Sequence, residues 1–176
     1  MRRIALILIC ACALSARAAE GDEPVRPRFG LDLGFLGGVE PLHGNLPDDV
    51  AFLYGGDLKM RLTFVSLGVR LEKSAEFSSR NITFTRWLGT VGFNIGAGDR
   101  TEISPYLGFG KMLYGSALQP DEVDGRLGLE LEHFFARWIS FGAGIAFDGR
   151  LYDSNGVQTA GSLSGTLKLS VHAPFG

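Results

Sequence analysis

The chain has 176 residues, with 17 Lys and Arg against 19 Asp and Glu, a formal charge of −2, and 45% hydrophobic residues. That is enough for one domain with a real core, and the acidic balance argues against nucleic acid as a partner. Past the first 18 residues no window supplies the roughly 18 consecutive apolar residues of a membrane-crossing helix.

The first element is an export signal. Arg2 and Arg3 precede an apolar run, Ile4–Leu14, and the small-residue site Ala16-Arg17-Ala18 follows. This predicts a signal peptide over residues 1–18, cleaved before Ala19. Cys10 and Cys12, the two cysteines, leave with it, so no disulfide or thiolate metal site is expected. An alternative reading treats the segment as a lipoprotein signal with a lipid on Cys12. Cleavage leaves 14 basic against 19 acidic residues, a charge of −5.

From Arg28 onward, apolar and polar residues alternate with period two in eight stretches, the pattern of half-buried strands. Arg28–Gly38 sets Phe29, Leu31, Leu33 and Phe35 against Gly30, Asp32 and Gly34. Phe52–Leu62 carries Asp57, Lys59 and Arg61 on its polar side, and Val65–Lys73 carries Arg70 and Glu72. Thr85–Ile95 places Arg86 and Thr90 against Trp87, Val91 and Phe93. Ser104–Tyr114 is the least regular, because Lys111 interrupts the apolar side after Leu107 and Phe109. Gly125–Phe135 sets Leu127, Leu129 and Leu131 against Arg126, Glu130 and Glu132. Trp138–Tyr152 sets Ile139, Phe141, Ala143, Ile145 and Phe147 against Asp148 and Arg150. The last stretch, 165–176, alternates Leu167, Leu169, Val171 and Phe175 with Lys168, Ser170 and His172.

Sequential strands with short connections pair as antiparallel neighbours. No stretch holds a helical period, which excludes βαβ architectures. Connections 39–50, 74–81, 115–124 and 153–160 are longer and polar, whereas those at Thr63-Phe64 and Ala136-Arg137 are about two residues. Connection 96–103 is longer than that rhythm predicts. Long loops at one end and tight turns at the other, on an even strand count, are the asymmetry of a membrane barrel.

Two eight-stranded barrels share this alternation. A soluble lipocalin-like barrel fills its interior with the apolar set; a transmembrane barrel turns that set to lipid. The polar set decides between them. Asp32, Asp57, Lys59, Arg61, Arg70, Glu72, Arg86, Arg126, Glu130, Glu132, Asp148, Arg150 and Lys168 give seven bases and six acids, interleaved with many of the 25 glycines. A narrow lumen has room for large charged chains only if small residues alternate with them, and buried charges must pair. The expectation is a closed, charge-balanced lumen. Phe29, Phe35, Phe52, Tyr54, Trp87, Trp138, Phe147, Tyr152 and Phe175 are expected in interfacial girdles.

The final strand, with Leu167, Leu169 and Val171 leading to Phe175, resembles the C-terminal insertion signal of bacterial outer-membrane proteins. Ala173, Pro174 and the extra Gly176 depart from that pattern. With eight strands and the signal peptide, the chain resembles the small OmpA-like and OmpX-like barrels. The resemblance implies an all-β, eight-stranded antiparallel up-and-down transmembrane barrel in a Gram-negative outer membrane. It divides the chain into signal 1–18, a periplasmic segment 19–27 and a barrel 28–176. The implied partners are outer-membrane lipid and lipopolysaccharide, the barrel-assembly machinery and periplasmic chaperones, around a monomer.

Catalytic readings find little. Some such barrels modify lipid A with a His beside a Ser and an acid, but the local strings are His43-Gly-Asn, His133-Phe-Phe and His172-Ala-Pro, with no His-x-Ser. His43 with Asp48 and Asp49 is the one loop combination that could mimic such a site. Asp121, Glu122 and Asp124 offer carboxylate oxygens for a divalent cation but are expected as a solvated acidic loop tip. No cofactor, metal or catalytic residue is assigned. The expected role is structural or adhesive, through the four long loops. A soluble periplasmic barrel holding an apolar ligand is the alternative, and a lipid A-modifying enzyme the third reading.

Overall fold

The computed structural model describes residues 26–41, 50–75, 83–115, 122–152 and 161–175, with the side chains of residues 122 and 150–152 outside that description. The expected signal peptide and most of the long connections therefore lie outside the described residues, among them His43, Asp48, Asp49 and Asp121. Eight strands form one sheet: β1 Phe29–Pro41, β2 Val50–Leu62, β3 Val65–Ser74, β4 Phe84–Phe93, β5 Thr101–Tyr114, β6 Glu122–Ala136, β7 Ile139–Tyr152 and β8 Gly161–Pro174. Each pairs antiparallel with its sequence neighbours, and β1 pairs with β8, so the sheet closes on itself.

Pairing can be followed round the wall from Gly30 through Arg61, Ser66, Gly92, Tyr106, Gly128 and Ala146 to Ser164. Ser164 stands beside the Gly165–Val39 pair, so the path returns to β1 at Glu40, ten residues beyond its start. That stagger tilts the strands and closes eight of them around an interior just wide enough for side chains.

The tight connections lie at one end. Thr63 takes a positive φ of 52° in the β2–β3 turn and donates its N–H to the Arg28 carbonyl at 2.7 Å. The β4–β5 connection, expected as a loop over 96–103, instead continues the ladder. Ile95 and Gly96 pair with Ile103 and Glu102 in the same register as β4 and β5, and Ala97 donates to the Thr101 carbonyl. The ladder breaks where Phe93 and Asn94 face Pro105 and Ser104, because Pro105 has no N–H to give.

The apolar set faces out. Leu33, Leu58, Val69, Leu127, Ile145 and Leu167 are exposed on the outer wall, whereas Asp32, Asp57, Arg70, Arg126 and Lys168 are buried inside. A lipocalin-like interior would show the reverse. Glycine clears room for the inner layer: a Cβ on Gly34 would meet Lys168 Cδ at 3.0 Å and the Asp57 carboxylate, and one on Gly128 would enter the Tyr106 ring. Phe35, expected in a girdle, stands midway along β1 on the outer wall.

Candidate functional site

The interior charges fall into three clusters stacked along the barrel axis. At the turn end, Arg61 of β2 bonds Asp32 of β1 at 2.8 and 3.0 Å, pairs with Glu102 of β5, and lies 3.5 Å from Glu132 of β6. His172 of β8 joins this cluster. Its Nδ1 lies 2.7 Å from Asp32 Oδ1, and its Nε2 lies 2.7 Å from Ser140 Oγ of β7. Ser140 also donates to Glu132 Oε1 at 2.6 Å. The Phe134 ring packs on the imidazole, centroids 4.9 Å apart, and forms the apolar floor.

In the middle, Glu130 of β6 accepts from Lys59 at 2.6 Å and Lys168 at 2.9 Å and pairs with Arg70. Arg70 of β3 bonds Asp57 at 3.0 Å and the Tyr106 hydroxyl at 2.8 Å. Three cations thus converge on two carboxylates across the lumen.

At the loop end, the two remaining buried arginines each bind in a forked geometry. Arg126 holds Glu72 at 2.5 and 2.8 Å and Asp148 at 2.5 and 3.1 Å. Arg86 holds Glu40 at 2.9 and 3.0 Å, and its Nε lies 2.5 Å from Asp124 in ionic contact without hydrogen-bond alignment. Such planar two-bond pairs are what guanidinium supplies and ammonium does not. Above them Ala51, Leu53, Phe84 and Met112 form an apolar cluster with Tyr114 packed against it.

Of the thirteen charges expected on the polar face, twelve have described side chains, and all twelve point inward. Arg150 lies on β7 opposite Asp124, its side chain outside the description. Three further carboxylates stand with them: Glu40, Glu102 and Asp124, each nearly or fully buried. Among described side chains the strands turn nine carboxylates and six Lys or Arg into the lumen; Arg150, one of the seven expected bases, stands outside that description, and Arg26, ahead of β1, comes within 4.0 Å of Glu102. Asp124, expected at a solvated loop tip, is 0% exposed and faces Arg86. Leu167, Leu169 and Val171, expected as part of an insertion signal, point outward on β8, and Phe175 donates its N–H to the Phe29 carbonyl at 3.0 Å.

Ser140, His172 and Asp32 have the spacing of a nucleophile relay, and because the three lie on different strands no local sequence pattern marks it. Ser140 is 0% exposed, and its hydroxyl proton is directed to Glu132. In this arrangement the histidine binds strands together. His133 stands on the outer wall, with its Nδ1 3.1 Å from Thr101 Oγ1. Among the described residues no cluster of three His, Cys, Asp or Glu has the geometry of a metal site.

A closed eight-stranded meander, ionic within and hydrocarbon without, is the fold of a small transmembrane β-barrel. Solved structures of that class superpose on it. The N-terminal barrel domain of Pseudomonas aeruginosa OprF matches with a TM-score of 0.60 at 14% identity, over 84% of this chain and 100% of that one. Neisserial surface protein A matches at 0.59 and 9% identity, over 84% and 97%. Ail, the attachment invasion locus protein of Yersinia pestis, matches at 0.52 and 14% identity, over 84% and 98%. The likeness is one of fold. At the level of sequence, no family model and no curated protein gives a match.

Proposed function

We propose that the chain is an integral protein of a Gram-negative outer membrane, with its loop end outside the cell and its lumen closed to ions. The role read for it is structural or adhesive, carried by the loops rather than by chemistry in the barrel. The observation that carries this reading is the polarity of the wall: leucine, valine and phenylalanine outside, arginine–carboxylate forks inside. A soluble barrel would gain nothing from exposing that much hydrocarbon to water. Closure is supported by the three charge clusters spanning the lumen, capped by Phe84 and Met112 and floored by Phe134. Export by the N-terminal signal and delivery by periplasmic chaperones and the assembly machinery complete the proposal.

Cell fractionation tests it, together with gel migration of boiled and unboiled samples extracted in mild detergent. A fast-migrating unboiled form in the outer-membrane fraction, with no conductance in a planar bilayer, is the expected result. Protein in the soluble periplasm would overturn the placement, and steady single-channel currents would overturn the closure.

A further inference from the structure

The outer wall carries very little charge. Among the described strand residues facing outward, the only Lys, Arg, Asp or Glu are Lys73 of β3 and Lys111 of β5, both at the loop end. They flank one stretch of β4: Lys73 pairs with Thr85, Lys111 pairs with Trp87, and Thr85 and Trp87 are successive outward positions. The two lysines are therefore about two strand spacings, roughly 10 Å, apart laterally. A hydroxyl and an indole stand between them. Both lysines are exposed, and neither has an ion pair or a side-chain hydrogen bond among the described residues.

Two ammonium groups with no acidic partner among the described residues are unexpected on a protein of net charge −2, whose described interior arginines and lysines are each matched with acids. An isolated lysine on a lipid-facing wall can be accommodated by extending its head to the interface. Two beside one tryptophan, with no outward carboxylate among the described strand residues, make a concentrated positive site. The neighbouring wall, Leu71, Phe109 and Leu113, is apolar and suited to acyl chains.

We propose that Lys73 and Lys111, with Thr85 and Trp87 between them, bind a phosphate of the glycolipid that forms the outer leaflet, its acyl chains lying along β3–β5. The proposal rests on the outer-membrane placement above. The ammonium groups supply charge-assisted donors to phosphate oxygens, and the Thr85 hydroxyl and the Trp87 N–H add two neutral donors.

The test uses the folded mature chain in detergent, incubated with bisphosphorylated lipid A, its dephosphorylated form or phosphatidylglycerol, and retained lipid is counted by native mass spectrometry. Wild type is expected to retain phosphorylated lipid A in preference to both others. The double variant Lys73→Gln, Lys111→Gln is expected to weaken that retention about ten-fold or more, as befits lost hydrogen bonds between charged groups. Lys73→Arg with Lys111→Arg preserves it. Heat-modifiable migration shows that each variant is folded. Equal retention by the double variant, or of dephosphorylated lipid A, would overturn the proposal. Equal retention of phosphatidylglycerol would overturn the glycolipid assignment. Recovery in the soluble periplasm would instead overturn the placement, and fractionation reads that separately.

Discussion

His172 on the last strand and Asp32 on the first are joined by a contact of 2.7 Å across the pair that closes the barrel. Asp32 also holds Arg61 of β2, and His172 reaches Ser140 of β7, so four strands are tied at one level. Replacing His172 with Leu removes both ring contacts and leaves Asp32 with Arg61 alone. The expected loss is about 1–3 kcal/mol of unfolding free energy, measured by urea titration of the barrel in lipid vesicles. The double variant with Asp32→Asn should lose less than the two single losses combined, because the bond can be broken only once.

Glu130 is the most heavily used carboxylate in the lumen, facing Lys59, Lys168 and Arg70. In Glu130→Gln the three cations are left to share Asp57, with Glu132 an equally distant second anion for Lys168 at 3.8 Å. A cost of about 3–5 kcal/mol is expected for stranding buried charge in this way. The unboiled, fast-migrating form should then melt at a clearly lower temperature. An unchanged melting point would mean that water reaches the middle cluster.

Gly128 and Gly89 separate two roles for glycine. A methyl on Gly128 would collide with the Tyr106 ring, whereas one on Gly89 would find its nearest neighbour, the Phe109 carbonyl oxygen, at 3.8 Å. Gly128→Ala is expected to cost about 1–3 kcal/mol through overpacking. Gly89→Ala should stay within about 0.5 kcal/mol of wild type. Equilibrium unfolding of both variants under one condition checks the contrast.

Thr63 occupies a left-handed conformation that a β-branched residue rarely adopts. Thr63→Asn keeps the backbone bond to Arg28 and relieves that strain, so a gain of about 1 kcal/mol is expected. Faster refolding into detergent micelles would accompany it if the β2–β3 turn forms early.

The alternation of Leu127, Leu129 and Leu131 against Arg126, Glu130 and Glu132 made β6 legible, and the same signal located all eight strands. The ends were harder to read. Glu40, Glu102 and Asp124 sit where the outward partners are Pro41, Thr101 and Val123, flanked by loop-like residues, so the apolar rhythm fades before the ladder does. The alternation alone places all three in connections, and all three are buried. The Ser140–His172–Asp32 contact was illegible for another reason: it depends on which strands close the barrel and with what stagger, and no local spacing encodes that.

The chain contains two tryptophans, and the fold sends them to opposite ends of the outer wall: Trp138 to the β6–β7 turn and Trp87 to the loop half of β4. A barrel entering a bilayer turn end last must carry Trp87 through the full hydrocarbon thickness, whereas Trp138 halts near the face it approached. Quenchers placed at graded depths in the acyl chains would therefore see one indole pass and the other stay. The molecule carries its own optical clock for the direction and timing of insertion.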